Sequence, residues 1–237
     1  MTRSFGKALP PQPVREEGIK AVRPRDAATI IIWRKRGRRV EVLMGERTGA
    51  HQFLPHRYVF PGGRVDGQDA RIRSASEMRP AVAAQLARTT RKGRGRSIAV
   101  AAIRETFEET GLIIGAPGAV GGGDHVTYRA LAAAGQAPRL DRLHYIGQAV
   151  TPRFAPHRFN ARFFAIDAAD ATGELAGSGE LTDLAWRPLA ACLDLPLIDV
   201  TRFMLGALLR QMAAGFPVDT ARPRFAYRQR RRIITYH

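Results

Sequence analysis

The chain has 237 residues, 45% of them hydrophobic, which suits one domain with extensions or two small domains around a real core, and it carries a formal net charge of +17. No apolar run reaches the length of a membrane span, and the N-terminal segment lacks the apolar stretch of a secretory signal. The single cysteine, Cys192, excludes an intramolecular disulfide and fits a reducing, cytoplasmic setting, most simply as a small core residue.

The positive charge is unevenly placed. Residues 70–103 hold eight basic residues and one acid, and residues 222–237 hold six arginines and no acid. Such cations suit solubility or attraction of a phosphorylated small molecule; nucleic acid or acidic lipid is the less favoured partner.

Residues 1–24 are rich in proline and charge and read as an irregular N-terminal extension. Residues 27–33 form a β-branched run, hence a buried strand; 34–39 make a cation-bearing turn and 40–44 the partner strand. Residues 45–59 read as a loop carrying Glu46, Arg47, His51, Phe53, His56 and Arg57. It leads to Phe60-Pro61-Gly62-Gly63, whose glycines let the backbone approach a ligand closely. Residues 80–88 read as a short helix with proline in its first turn, and 92–96 as a flexible connector.

The next stretch is the most informative. Residues 98–110 read as one helix ended by Gly111. At about 100° per residue, Val100, Ile103 and Phe107 share one face and Glu105, Glu108 and Glu109 the opposite one. Three carboxylates on one stripe repel, and no cation falls between them after Arg104. They read either as a solvated acidic face or as hard oxygen ligands for Mg²⁺ or Mn²⁺.

Five glycines within residues 115–125 read as a mobile linker, because the segment lacks the Gly-Lys-Ser/Thr ending of a phosphate loop. A short helix over 130–134 and strands over 143–150 and 159–166 follow. The loop between those strands mixes aromatic and basic groups, Arg153, Phe154, His157 and Arg158, and reads as a plain loop or a ligand contact. A strand over 184–189 precedes a last helix, 202–214, capped by Thr201 and striped by Phe203, Leu205, Leu208, Leu209 and Met212. Strands, an acidic helix, more strands and a C-terminal helix make an α/β chain with a mixed sheet between helices.

The stretch Arg104-Glu105-Thr106-Phe107-Glu108-Glu109-Thr110-Gly111-Leu112 resembles the second half of the Nudix box of Nudix hydrolases, Arg-Glu-U-x-Glu-Glu-x-Gly-U, where U is bulky and apolar. Thr106 departs at one U position. The first half, Gly-x5-Glu, is matched by Gly63 and by Asp69 in place of glutamate. Residues 70–103 stand where the box has seven residues, so the box looks split by an insertion, 70–97, within a domain spanning 25–215 and followed by a basic tail, 216–237. The resemblance implies an α/β/α sandwich and metal-dependent cleavage of a nucleoside diphosphate conjugate. It makes Glu105, Glu108, Glu109 and the Gly62 carbonyl metal ligands, with Glu105 a ligand or general base, and has Arg104 hold a glutamate through a paired contact. Glu180 is a candidate further acid, and Arg47, Gly63 and Arg158 are candidates for binding substrate.

Within that family the chain looks most like a coenzyme A diphosphatase branch. The split box carries this likeness, together with Thr151-Pro152 followed by residues 158–164, and Asp199-Val200-Thr201-Arg202-Phe203. The arginine-rich tail is expected to fold back near the site with Phe225 and Tyr227, and its cations with those of the insertion to favour the more anionic coenzyme A. ADP-ribose or a nucleotide sugar is the alternative substrate, and a non-catalytic nucleotide- or RNA-binding module the alternative of another class. A homodimer is compatible with all of these.

Overall fold

The computed structural model describes residues 22–49, 55–121, 124–153, 155–177, 179–228 and 231–237. Most of the N-terminal extension, His51, Phe53, Gly122, Gly123 and Phe154 lie outside the described residues.

The chain opens with a hairpin of β1 (Arg25–Arg36) and β2 (Arg39–Arg47), longer at both ends than the apolar runs alone indicate. Two short strands follow, β3 (Tyr58–Val59) and β4 (Gly62–Arg64). Helix α1 (Pro80–Ala87) precedes the acidic helix α2 (Arg94–Thr110). Then come β5 (Gly115–Pro117), α3 (Val126–Ala133), β6 (Gln136–Pro138), β7 (His144–Val150) and β8 (Phe159–Asp167). The chain finishes with β9 (Leu181–Pro188), α4 (Leu189–Cys192), α5 (Asp199–Ala213), β10 (Pro223–Arg228) and β11 (Arg231–Tyr236).

Among the described residues the main sheet runs β11-β10-β7-β8-β1-β2-β3, with β4 joined to β1 and β9 to β2. It is mixed: β1 lies parallel to β8 and β10 parallel to β7, while the other pairs are antiparallel. The strands divide their apolar residues with a period of two. Ile30, Ile32, Leu43, Phe164 and Ile166 pack with α1, α2 and α3. Ile31, Trp33, Val42, Met44, Phe163 and Ala165 pack with α4, α5 and Phe225. Two cores on opposite faces of one sheet make the expected α/β/α sandwich. Cys192 is fully buried in the second core, where desolvation pushes its thiol up to about 11.

Several elements differ from the sequence expectation. Residues 94–96 are the first turn of α2 rather than a connector. Gly93 turns the chain in the left-handed region (φ 79°), and Arg96 is tied to the Ile72 carbonyl, Ser74 and Glu77 at 2.8–2.9 Å. The segment 70–97 does not loop out: Ile72, Val82 and Leu86 are buried in the first core. Val82 and Leu86, four apart on α1, supply the apolar face that draws it in. Residues 115–117 pair with β6 instead of forming a linker, and α3 starts at Val126, earlier than expected. Thr201 lies buried inside α5, which begins at Asp199, so it is not the cap.

The largest departure is the C-terminal segment. Residues 223–228 and 231–236 are not a tail but two antiparallel strands, the first of which extends the sheet beside β7. Pro223, Phe225 and Tyr227 alternate with Arg224 and Arg228, so one face is apolar despite the arginines. No helix among the described residues is long and apolar enough to cross a membrane.

Candidate active site

Helix α2 is amphipathic in an unusual sense: one side is core, and the other faces ligand-sized cavities. Val100 and Ile103 are buried under the sheet with Phe107 packed beside them, as the periodicity requires. Gly111 ends the helix in the left-handed conformation (φ 74°), its N–H donating to the Phe107 carbonyl at 2.8 Å.

The acids of α2 meet the Gly62–Gly63 turn directly. The Gly62 N–H donates to Glu109 Oε2 at 2.7 Å. A Cβ on Gly63 would fall on the carboxylate of Glu105, far inside van der Waals contact, so the missing side chain is the cradle in which Glu105 lies. Gly62 is equally constrained, since a Cβ there would strike the Ala28 carbonyl and Thr29.

Arg104 organises the acids. Its guanidinium pairs with Asp69 through two donors, Nε to Oδ1 at 2.9 Å and Nη2 to Oδ2 at 3.2 Å. Nη1 reaches Glu105 Oε1 at 2.9 Å and Glu108 Oε2 at 3.0 Å, and Nη2 also donates to the Arg64 carbonyl at 2.8 Å. The paired contact expected for Arg104 is therefore made to Asp69, which stands at the glutamate position of the motif. Arg104 also relieves part of the repulsion along the stripe.

Burial still penalises the acids. Desolvation pushes Glu105 up to about 7 against the pull of Arg104, and Glu109 up to about 8 against the Gly62 N–H. Arg47, at the end of β2, is itself lowered by desolvation and supported by the charges of Glu109, Glu180 and Glu105. Thus Glu180, from the loop before β9, acts on the same cluster.

Glu105, Glu108, Glu109, Glu180 and Arg47 line a cavity of about 550 Å³. Its lining also has an apolar part, Phe159 and Phe163 of β8, Ile198 and Val200 at the start of α5, and Phe225 and Tyr227 of β10. Tyr227 was expected near the site; its hydroxyl donates to Asp199 Oδ2 at 2.9 Å, which fixes β10 to α5. A second, polar cavity of about 560 Å³ shares Arg64 and Glu105 with the first and is lined by Arg25, Arg94 and His125.

Arg158 is not among the residues lining either cavity; its guanidinium donates to the Val22 and Thr151 carbonyls. Among the described residues, the insertion places Arg94 at the polar cavity, and residues 216–237 give the first cavity Phe225 and Tyr227 but no cation. The cations lining the first cavity among the described residues are Arg47 and Arg64, from elsewhere in the chain. Sequence reasoning missed α3 as a site element: Thr127 Oγ1 donates to Glu108 Oε1 at 2.5 Å, and the Tyr128 hydroxyl donates to Asp69. The available signal was His125, Thr127 and Tyr128 together at a helix start.

Among the described residues no three His, Cys, Asp or Glu side chains converge on one cation-sized point, because Arg104 and the Gly62 N–H hold the carboxylates. The donors nonetheless suit a hard divalent cation: three carboxylates on one stripe, two raised by burial, against a glycine cradle.

The fold and this cluster define an α/β/α sandwich with a carboxylate-lined cleft at a glycine turn. The NUDIX domain matches residues 23–202, and the chain belongs to the Nudix family. It is 28% identical to a NUDIX hydrolase from Alicyclobacillus acidocaldarius, whose crystal structure superposes with a TM-score of 0.62 over 79% of this chain and 92% of that one. A Caenorhabditis elegans protein named as nudix hydrolase 7 is 36% identical over 89 residues; that match takes in 38% of this chain and 22% of the relative's length.

Proposed function

We propose that the protein hydrolyses the diphosphate linkage of a nucleoside diphosphate conjugate with Mg²⁺ or Mn²⁺ as cofactor. The observation that carries this reading is the buried Glu109 and half-buried Glu105 seated on Gly62–Gly63 beside Arg47, lining a cavity large enough for such a conjugate. A divalent cation, when bound, supplies neutralisation of phosphate charge and a lowered pKa for water. Glu105, Glu108, Glu109 and the Gly62 carbonyl are the groups to hold it. Arg104 orients Glu105 and Glu108. Arg47 offers a guanidinium to phosphate oxygens, and Glu180 joins the acids from the facing loop. Glu105 is the candidate base.

The apolar part of the cavity's lining bears on substrate. A conjugate with a flexible, largely apolar arm, such as the pantetheine of coenzyme A or an acyl derivative, buries that arm against Phe159, Phe163, Phe225 and Tyr227. ADP-ribose or a nucleotide sugar sets ribose hydroxyls against the same wall, where hydroxyls lose their water partners. The preference for coenzyme A thus rests on the wall, not on the cations of the insertion and C-terminal segment.

Purified full-length protein with Mg²⁺ or Mn²⁺, offered coenzyme A, an acyl-coenzyme A, ADP-ribose and nucleotide sugars, tests the reading. Metal-dependent release of two phosphorylated products supports it. Ligand binding without turnover of any diphosphate overturns it in favour of a non-catalytic nucleotide- or RNA-binding module.

A further inference from the structure

We infer that Tyr128 is a positioning residue for the acid cluster, supplying through α3 the reach that Asp69 lacks. The inference rests on the proposed function above for its catalytic consequence, but on geometry for its substance.

Asp69 stands where the motif has glutamate, with one methylene less. It is fully buried, yet both of its oxygens are engaged. Oδ2 accepts from the Asp66 N–H at 2.7 Å and from Arg104 Nη2 at 3.2 Å. Oδ1 accepts from Arg104 Nε at 2.9 Å and from the Tyr128 hydroxyl. A buried carboxylate of this kind holds one position only while its lone pairs stay matched.

The consequences pass along Arg104. With Nε and Nη2 fixed by Asp69 and the Arg64 carbonyl, its remaining nitrogen is aimed at Glu105 and Glu108. The position of two of the three acids therefore depends on the Asp69 carboxylate, whose outer oxygen bond comes from Tyr128. Tyr128 is almost fully buried, and a phenol in such a place needs a partner. Burial and the adjacent carboxylate push its pKa up, so the hydroxyl remains a donor throughout the working pH range. The neighbouring Thr127 independently holds Glu108 at 2.5 Å, so two consecutive residues of α3 grip the cluster. Neither residue belongs to the motif.

The test is a cycle of Y128F, D69E and the double variant in the full-length protein. Y128F should lower kcat about 10-fold with KM for substrate nearly unchanged, as loss of an outer-shell partner does. D69E alone forces its extra methylene against the phenol and should lower both kcat and Tm. In D69E/Y128F the longer acid occupies the space of the missing hydroxyl, and kcat should return to within about 3-fold of wild type, above either single variant. Melting each protein without metal gives the same cycle independently of turnover, with the double variant more stable than additivity allows. Wild-type kcat in Y128F, or a double variant no better than additive in both rate and melt, overturns the inference. Failure of the hydrolase reading is distinct: the wild type turns over no diphosphate, while the metal-free melts still decide whether Tyr128 and Asp69 are coupled.

Discussion

The Gly62 N–H and the Glu109 carboxylate, 47 residues apart in sequence, lie 2.7 Å from one another. This bond joins a tight turn to a helix across a segment that packs its own helix into the core. It constrains what each partner can become. Glycine is required at 62 by the Ala28 carbonyl, and an acceptor is required at 109 by the buried N–H.

E109Q isolates the charge from the hydrogen bond. Glutamine keeps an acceptor for Gly62, so the fold persists, but a charged ligand is lost. Activity should fall at least about 100-fold, as for loss of a transition-state contact in a closed site. The metal-free Tm should hold or rise, since folding must either protonate Glu109 or bury its charge among acids, and each costs stability. Kinetics and melts with and without Mg²⁺ check both halves; near-wild-type turnover removes Glu109 from the reaction.

The two glycines should separate stability from activity. G63A adds a methyl group whose three nearest neighbours all belong to the Glu105 carboxylate, a side-chain end that can move. Its cost to stability should stay under about 1 kcal/mol, a Tm shift of about 2–4 °C for this size of domain, while kcat falls sharply because Glu105 is displaced. G62A meets backbone and should cost about 3 kcal/mol or more, combining strain with a clash. Equal Tm losses in the two variants refute the distinction.

The acid stripe was legible in the sequence because Val100 and Ile103 fix the buried face of α2 and the acids fall opposite, while the pairing of these acids with the two glycines was implied by the resemblance to the Nudix box. What was not legible depended on partners distant in sequence. The density of arginine in residues 222–232 concealed the alternation of Pro223, Phe225 and Tyr227, and only β7 alongside reveals those residues as a strand. Asp69 looked like a weakened motif position until Tyr128 appeared against it. Arg158, a candidate for binding substrate, also donates to the backbone carbonyls of Val22 and Thr151, one of them far from it in sequence. Composition carries no information about such partners.

His144 provides a pH-dependent stability term. Burial, with Arg79 and Arg222 nearby, lowers its pKa to about 4; Arg79 Nη2 lies 3.0 Å from Nδ1, and the ring stacks on Phe216. Its native pKa lies below the unfolded value of about 6.5, so the unfolded chain binds the proton first. The associated stability is intact above pH 6.5 and is lost as pH falls toward 4. Solvent screening of the partly exposed ring limits the effect to on the order of 1 kcal/mol, about 2–4 °C in Tm. H144Q, which keeps an acceptor for Arg79, should flatten the Tm profile between pH 6.5 and 4 relative to wild type. Parallel profiles refute the assignment.

Substrate choice should follow the apolar wall rather than the charge of the appendages. Among the described residues, Arg47 and Arg64 are the cations of the cavity that Glu105 and Glu109 line with Phe159 and Phe163, while the C-terminal strand β10 brings it Phe225 and Tyr227. A 3′-phosphate on the substrate ribose therefore gains little from the insertion and C-terminal arginines. Coenzyme A and dephospho-coenzyme A should have kcat/KM values within about 3-fold of each other, with a ratio little changed between low and 0.3 M salt, where long-range fields are screened. ADP-ribose should be cleaved about 10- to 100-fold less efficiently, because its second ribose sets hydroxyls against Phe159, Phe163 and Tyr227. Y227A opens the wall and removes the bond to Asp199, so it should narrow this discrimination chiefly by raising KM for the coenzyme A substrates. Side-by-side kcat/KM values for the three substrates, in wild type and Y227A at two salt concentrations, decide the matter. A strong, salt-sensitive preference for coenzyme A over its dephospho form restores the electrostatic account and displaces the wall as the source of specificity.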